Sequence, residues 1–139
     1  MNDSLHTYHK LMILMIRSKR VMMELVEKLG MTPVQGMFLM LFEGHRGQSM
    51  HKLSSLMGCD ASNITGLVDR LDSQQLIERT VDPNDRRVKL IKLSEKGTEC
   101  RYAILEALDK AEAADLHRLT PEERASLIRI VDKLTSDTQ

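Results

Sequence analysis

A short run of cations is the part of this sequence that most clearly offers chemistry. Arg86, Arg87, Lys89 and Lys92 lie close together after a single acid, Asp85, although the whole chain has 20 basic and 20 acidic residues and no formal net charge. Positive charge is therefore local. A local cluster of this kind can neutralise phosphates or enter a nucleic-acid groove; the alternative is an ordinary solvated loop.

Two short helices are predicted just before these cations. Ser49 caps the first, which Gly58 ends, and Asp60 or Ser62 caps the second, which runs to about Gln75. A helix-turn-helix pattern results, although alone it is only moderately specific because helical hairpins are common. Apolar positions at helical spacing predict the buried side of the second helix: Ile64, Leu67, Val68 and Leu71.

The segment that carries the cations reads as a β-hairpin. Residues from Leu76 to Asp82 and from Val88 to Leu93 are rich in Val, Ile, Leu and Thr, and they bracket a Pro-Asn-Asp turn. A hairpin that directly follows a helix pair predicts a winged helix with its positive charge at the tip.

Both ends of the chain are predicted to be helical and unusually apolar. From Leu5 to Leu29 the apolar residues cover more than one side of the helix, which indicates a partner subunit, and Gly30 suits the left-handed residue that ends it. Thr120 opens a last helix with a capping box, and its apolar stripe is Leu127, Ile130, Val131 and Leu134.

Two further helices are expected between these elements. Thr32 and Gln35 form a second capping box, and the helix that begins there should run to about Glu43. Ser94 should begin a long helix that reaches about Arg118. The inward side chains of the helix after Thr32 are expected to be Met37, Phe38, Leu41 and Phe42.

The predicted fold is mainly α with a small β-hairpin wing, a winged helix-turn-helix whose N- and C-terminal helices form a dimerisation region. Its parts are an N-terminal dimerisation helix at 1–30, a winged DNA-binding lobe at 31–97 and C-terminal dimerisation helices at 98–139. These parts are expected to form one compact chain, since 139 residues suit a single domain.

Several classes of protein are disfavoured. No apolar run approaches the roughly 18 residues of a membrane span, and the first ten residues lack the order of a secretory signal. Cys59 and Cys100 lie far apart, which favours a reduced, cytoplasmic compartment over a disulfide. Because no phosphate-binding glycine loop, dinucleotide fingerprint or nucleophile motif is present, we expect no enzyme and no cofactor. The five histidines are scattered, and no metal site is expected.

Four motifs, in this order and spacing, closely resemble the MarR family of winged helix-turn-helix transcription regulators. The resemblance implies a homodimer that places two recognition helices in successive major grooves and two wings in flanking minor grooves of a near-palindromic duplex. Members are mostly repressors, and many release DNA when they sense a small anionic or phenolic ligand or an oxidant. The motifs are Ser62-Asn63-Ile64-Thr65, Leu67-Val68-Asp69-Arg70-Leu71, Asp82-Pro83-Asn84-Asp85-Arg86-Arg87 and Leu93-Ser94-Glu95-Lys96-Gly97.

Two positions depart from the family pattern. Gln74-Gln75 stands where the family usually has a glycine before the first wing strand, so that turn is made without the residue that best tolerates positive φ. Gly66 stands inside the recognition helix, where many members have a larger side chain. The operator sequence therefore cannot be copied from a relative.

The recognition helix supplies the candidates for reading bases. Ser62, Asn63 and Thr65 lie in its N-terminal half, which faces base edges in this class of protein, and Asn63 has the donor and acceptor for a bidentate contact to adenine. Local capping is the alternative role for Asn63. Arg70 and Lys89 are candidates for the DNA backbone; for Arg70 the alternative is an ordinary surface pair with Asp69 or Asp72.

The wing tip is assigned to the minor groove. An arginine at a hairpin tip can enter a narrow A·T-rich minor groove. The resemblance to the MarR family implies that Arg87 is the residue that does so, since it matches the family's groove-inserting position. Asp85 cannot favour phosphate, so we expect it to brace Arg86 or Arg87 through a charge-assisted hydrogen bond and aim the tip.

The sequence also contains residues that could bind a small ligand or react with an oxidant. All ten methionines lie at or before Met57, and methionine surfaces accommodate varied apolar shapes. A pocket for a small aromatic or phenolic ligand would use Met12, Met15, Met37 and Met40; the alternative is that these residues fill the core. Cys59, near a helix N-terminus, is either an oxidant sensor or a packed thiol.

We therefore expect a sequence-specific dimeric DNA-binding transcription regulator, a repressor released by a small molecule. The alternatives are an oxidant-responsive regulator that acts through Cys59 and a winged-helix adaptor that binds another protein, since fold alone does not fix function. Polar Ser62, Asn63 and Thr65 beside a cationic wing favour DNA.

Overall fold

The computed structural model describes residues 2–112 and 115–136. The chain divides into two compact units: a lobe unit, Met22–Ala107, and a terminal unit, Met1–Val21 with Leu108–Gln139. The elements are α1 (Asp3–Lys28), α2 (Pro33–Leu39), β1 (Gln48–Ser49), α3 (Met50–Met57), α4 (Ala61–Ser73), β2 (Ile77–Val81), β3 (Lys89–Leu93), α5 (Glu95–Lys110), a 3₁₀ turn (Leu116–Arg118) and α6 (Pro121–Thr135). The predicted fold class, mainly helical with a small wing, is confirmed.

The lobe unit is built around a pair of phenylalanines. The rings of Phe38 and Phe42 lie 5.4 Å apart between centroids at an angle of 57°, and both side chains are fully buried. A tilted arrangement at that separation is a favourable packing of two aromatic rings. Eight aliphatic side chains of the lobe unit are also fully buried: Val26, Leu39, Leu53, Ile64, Val68, Leu71, Ile91 and Ile104.

Side-chain caps fix where several helices begin. Thr32 Oγ1 accepts the Gln35 N–H at 3.2 Å while Gln35 Oε1 accepts the Thr32 N–H at 3.1 Å, which is the predicted capping box. Thr120 and Glu123 repeat it at the start of α6, at 3.2 and 2.9 Å. Each box satisfies backbone N–H groups that have no partner within the helix, so both helix starts are confirmed.

The helix pair α3–α4 also follows the predicted pattern. Ser49 Oγ accepts the Lys52 N–H at the start of α3, and Gly58 ends that helix with φ 62°. Asp60, not Ser62, caps α4, because its carboxylate accepts the Asn63 N–H at 2.9 Å. The four side chains predicted to be buried on α4 are buried: Ile64, Leu67, Val68 and Leu71.

Two helices are shorter than the sequence predicted. α2 ends at Leu39 rather than near Glu43, because the N–H groups of Met40 and Leu41 bond three residues back to Met37 and Phe38 and tighten the last turn. Met37 is 45% exposed, so its predicted inward position is wrong; the buried side of α2 consists instead of Gln35, Gly36, Phe38 and Leu39. α5 ends at Lys110, and a separate 3₁₀ turn precedes α6.

The wing belongs to a three-stranded antiparallel sheet in the order β1-β3-β2. β2 and β3 pair from Ile77 opposite Leu93 to Val81 opposite Lys89, which confirms the predicted hairpin within a residue at each end. The third strand, β1, was not predicted; its two residues pair with Leu90 and Ile91. Because β1 leads directly into α3, it ties the helix pair to the base of the wing.

The terminal unit leaves its apolar side chains uncovered. Along α1, Leu5 is 60% exposed, Tyr8 67% and Met15 62%, and on α6 Leu134 is 70% exposed. None of the side chains described in this unit is buried. One ion pair within it joins Arg17 to Asp115 at 2.6 Å. In the described part of the chain, no helix has both the length and the apolar character to span a membrane.

Candidate nucleic-acid interface

The first turns of α4 present a polar surface. Ser62, Asn63 and Thr65 are all exposed, on the side of the helix opposite the buried stripe. Ile64 and Leu67 of that stripe are at most 5% exposed, and they fix the rotation of α4 against the rest of the lobe. The three predicted base-reading residues thus share one exposed surface on a helix that is anchored by its other side.

Hydrogen bonds within the protein already engage two of these three side chains. The Ser62 hydroxyl lies 3.0 Å from Asp60 Oδ1, and the Thr65 hydroxyl lies 2.7 Å from the Ala61 carbonyl oxygen. Within the described residues the Asn63 amide side chain has no hydrogen-bond partner. Its predicted alternative role, capping its own helix, is performed instead by Asp60.

The Asp60 carboxylate places a negative charge at the first turn of α4. The hydrogen bond from the Asn63 backbone N–H, and after it the bond from the Ser62 hydroxyl, lower the pKa of Asp60 below its ordinary value of 3.8. The group is therefore ionised at neutral pH. It also stands where a helix N-terminus would otherwise attract an external anion.

The wing tip is ordered by its own backbone and by two aspartates. Asp82 N–H donates to Val88 O at 2.9 Å and Val88 N–H donates to Asp85 O at 3.0 Å, which closes the turn. Asp85 Oδ1 accepts the backbone N–H of Arg87 at 3.0 Å, and Asp82 Oδ1 accepts that of Asn84 at 2.8 Å. Asp85 thus braces the tip at Arg87 as predicted, but it does so through the backbone rather than through a guanidinium.

Because Asp85 binds the backbone, the wing arginines keep their charge unpaired. In the described part of the chain, the side chains of Arg86, Arg87 and Lys89 have no ion-pair or hydrogen-bond partner, and all three are exposed. Lys92, the fourth cation of the cluster, is instead paired across the sheet with Glu78 at 3.1 Å. The positive charge offered to a ligand is therefore at the tip, on Arg86 and Arg87, and at the adjoining first residue of β3, Lys89.

Arg79 on β2, a residue that no sequence motif singled out, connects the wing to α4. Its guanidinium donates to Asp69 at 2.5 Å and to Asp72 at 3.2 Å. The hydrogen bond to Asp69, followed by that to Asp72, raises the pKa of Arg79 above its ordinary value. These aspartates were the predicted alternative partners of Arg70, whose Nε donates instead to the Gly66 carbonyl at 3.2 Å.

The turn from α4 into the wing has an unusual backbone. Gln75 has φ 61°, a left-handed conformation at the position where the sequence lacks the expected glycine. The start of α5 secures this turn: the Ser94 hydroxyl donates to the Gln75 carbonyl at 2.6 Å and Lys96 Nζ donates to the Gln74 carbonyl at 2.9 Å. Ser94 Oγ also accepts the Gly97 N–H at 3.0 Å and thereby caps α5 as predicted.

The candidate sensing residues are divided between the two units. Met12 and Met15 are exposed on α1 in the terminal unit, whereas Met37 is exposed and Met40 half-buried at the end of α2 in the lobe unit. In the single chain, the side chains of Met12, Met15 and Met37 lie outside the buried core. Cys59 is a free, half-exposed thiol, and its backbone carbonyl accepts the Ser54 hydroxyl at 2.5 Å.

One cluster of possible metal ligands was missed because its members come together only at a turn. Glu112, Asp115 and His117 have donor atoms within 4.8 Å of one another in the terminal unit. Asp115 is already paired with Arg17 at 2.6 Å, and Glu112 lies 3.6 Å from His117 Nδ1. Such exposed acidic groups are ordinary surface partners for each other and for nearby cations.

A capped helix pair with an anchored second helix, followed by a cationic hairpin in the same lobe, defines a winged helix-turn-helix protein. Comparison with known proteins agrees. The sequence model of the MarR family matches residues 31–89. The HTH-type transcriptional repressor MdtR of Bacillus subtilis is 32% identical over 113 residues, which cover 81% of this chain and 73% of that protein. This chain belongs to the MarR family of transcription regulators.

Solved structures place the same fold over nearly the whole chain. The transcriptional regulator Tm0710 from Thermotoga maritima superposes with a TM-score of 0.67 at 26% identity, covering 94% of this chain and 92% of its own. CouR from Rhodococcus jostii RHA1, solved with p-coumaroyl-CoA bound, also gives a TM-score of 0.67 at 26% identity, covering 88% and 86%.

Proposed function

We propose that this protein is a dimeric, sequence-specific DNA-binding repressor that a small molecule releases from its operator. The observation that carries the proposal is the pairing, in one lobe, of an exposed polar surface on α4 with unpaired arginines at the wing tip. An adaptor for another protein would favour an apolar surface on α4, whereas Ser62, Asn63 and Thr65 offer hydrogen bonds.

Each part of the lobe receives a separate role. Ser62, Asn63 and Thr65 read base edges in the major groove, and Asn63 is suited to adenine because its amide has both a donor and an acceptor without a partner among the described residues. Arg70 and Lys89 contact the phosphate backbone. Arg86 and Arg87 enter or flank the minor groove while Asp85 holds the tip in shape through the Arg87 N–H.

The terminal unit supplies the dimer in this proposal. Its exposed side chains on α1 and α6, which include Tyr8, Ile16 and Leu134 at 63% or more, are too apolar to face water on a stable monomer. A second copy that covers them would repeat the lobe around a twofold axis. The operator would then be a near-palindrome with half-sites about 10 base pairs apart.

Repression and release are inferred from relatives. MdtR is a transcriptional repressor, and CouR was solved with p-coumaroyl-CoA, an aromatic thioester. The candidates for contact with a small aromatic or phenolic ligand are Met12 and Met15 within the terminal unit and, separately, Met37 and Met40 within the lobe unit, because thioether side chains adapt to varied apolar shapes. A thermal-shift screen of phenolic and aromatic acids tests this part; a ligand must both stabilise the protein and lower its DNA affinity.

The central experiment compares two variants on the DNA upstream of the protein's own gene. Arg87→Ala should weaken binding to many sequences alike and flatten the salt dependence of log K by about two units for the proposed dimer, because each of its two subunits loses one phosphate-associated cation. Asn63→Ala should cost about 1 to 3 kcal/mol at one base position in each half-site and leave the salt slope unchanged.

Arg118→Ala is the matched control, since it removes an exposed arginine from the terminal unit rather than from the lobe. Competition titrations at several salt concentrations give both quantities for all three variants. If Arg87→Ala and Asn63→Ala bind the operator as the control does, the assignment of the lobe to DNA is wrong.

A further inference from the structure

We propose that Ser62 and Thr65 meet DNA as hydrogen-bond acceptors, so that α4 reads the exocyclic amino groups of adenine and cytosine and not the acceptor atoms N7, O6 and O4. This deepens the proposed function and rests on it. A hydroxyl is normally ambiguous in recognition because it can donate or accept. In this protein, hydrogen bonds within α4 and to its cap already use the hydroxyl protons of Ser62 and Thr65, so both hydroxyls are left as acceptors.

In the hydrogen bond between Ser62 and Asp60, the Ser62 hydroxyl must be the donor. The hydroxyl oxygen and Asp60 Oδ1 are 3.0 Å apart, and an ionised carboxylate can only accept. Asp60 is ionised at neutral pH, because its ordinary pKa of 3.8 already lies well below 7 and the bonds from the Asn63 N–H and the Ser62 hydroxyl lower that pKa further. Ser62 therefore donates inward and presents lone pairs outward.

Thr65 reaches the same state through a different partner. Its hydroxyl lies 2.7 Å from the carbonyl oxygen of Ala61, one turn earlier in the helix, and a carbonyl oxygen carries no proton. The hydroxyl must donate to Ala61. What remains for a base is a lone pair and the γ-methyl group, which also suits the apolar C5-methyl of thymine.

The consequence for recognition follows from the atoms in the major groove. Adenine N6 and cytosine N4 donate, whereas purine N7, guanine O6 and thymine O4 accept. To bind an acceptor, either hydroxyl would first have to break its internal bond, and for Ser62 that bond goes to a charged partner and is the stronger kind. Asn63, whose amide is unpartnered in the described residues, is the one member of the trio that can donate freely.

Every base pair presents both an amino group and acceptor atoms in the major groove, so a consensus sequence does not show which of them the protein contacts. Base analogues that lack one of these groups answer that question directly. The full-length protein would first select duplexes from a randomised pool. Ser62→Ala and Thr65→Val would then map the position that each hydroxyl contacts. At each mapped position, purine in place of adenine, or 2-pyrimidinone in place of cytosine, deletes the amino group, while 7-deazapurines delete N7.

Amino deletion should weaken wild-type binding about three- to tenfold, the effect of one hydrogen bond, whereas N7 deletion should leave it unchanged. Binding by the matching variant, Ser62→Ala or Thr65→Val, should not depend on the amino group. If the analogue acted only by weakening the duplex, the wild type and the variant would be affected equally. Asp60→Asn keeps a good cap but adds an amide donor beside Ser62, so it should reduce the amino dependence at the Ser62 position alone.

Two results would overturn the inference while leaving the proposed function standing: greater sensitivity to N7 deletion than to amino deletion at a mapped position, or selected duplexes on which neither hydroxyl variant changes any base dependence. A protein that enriches no sequence from the pool would instead refute the proposed function itself.

Discussion

Gly97, the third residue of α5, is the position where a single added carbon should do the most damage. A Cβ atom built there would overlap the carbonyl oxygen of Leu76, which is backbone and cannot move aside as a flexible side chain could. That carbonyl accepts the Ser94 N–H at 3.1 Å, and the neighbouring Gln75 carbonyl accepts the Ser94 hydroxyl at 2.6 Å. Gly97→Ala must therefore push α5 away from the turn between α4 and the wing.

The expected cost has three parts. Forcing a methyl group into packed structure costs about 1 to 3 kcal/mol. Weakening the two hydrogen bonds from Ser94 adds about 0.5 to 1.5 kcal/mol each. The better helix propensity of alanine offsets about 1 kcal/mol of this loss in the free energy of unfolding. Gly97→Ala should thus lower the free energy of unfolding by about 1 to 5 kcal/mol, with a middle value of about 3.

Gly66→Ala is the matched control, because Gly66 also lies in a helix but a Cβ there meets nothing within 4 Å. It should raise the free energy of unfolding by up to about 1 kcal/mol. Urea unfolding of both variants and the wild type gives the comparison. It should be measured at one fixed protein concentration, because the stability of the proposed dimer would depend on concentration. A Gly97→Ala protein that unfolds at or above the wild-type midpoint would refute the close approach of α5 to Leu76.

Three further outcomes are expected. Asp60→Asn should make stability less sensitive to acid. The pKa of Asp60 is lowered in the folded protein from its ordinary value of 3.8, so its contribution to stability is present above that value and is lost as the pH falls through the folded pKa. Equal acid sensitivity in the variant and the wild type would contradict this. Gln75→Gly should raise the free energy of unfolding by about 0.5 to 1 kcal/mol. Glycine removes the strain of the left-handed backbone, and this gain exceeds the cost of a more flexible unfolded chain. An unchanged urea midpoint would count against this prediction. Arg79→Met should lower the free energy of unfolding by about 1 kcal/mol or less, because its two ion pairs are partly exposed. It should also lower DNA affinity, because it leaves two carboxylates on α4 unneutralised. Adding Asp69→Asn should restore part of that affinity in titrations.

Features that depend on neighbouring residues were predictable. The capping boxes at Thr32 and Thr120, the end of α3 at Gly58 and the buried stripe of α4 all follow from side chains within a turn of one another. The hairpin was predictable for the same reason, since its turn and both of its strands are contiguous. So was the strained turn at Gln75, where the absence of glycine leaves positive φ to a larger residue.

Features that depend on distant residues were not predictable. β1 has two residues and exists only because β3 lies beside it, so no local pattern marks it. The partner of Asp69 and Asp72 turned out to be Arg79 on the next strand rather than Arg70 on the same helix. The donor state of Ser62 could not be predicted either, because it depends on which of Asp60 and Ser62 becomes the cap.

The neutral chain with its unpaired wing arginines also bears on how such a protein would find its site on a chromosome. Without net charge it has no long-range attraction to DNA as a whole, and fields from the wing fade within a Debye length of about 8 Å. An encounter that begins with the wing is electrostatically favoured. Residence on random sequence should therefore be brief, and the search should proceed by repeated short visits through solution more than by long sliding along the duplex.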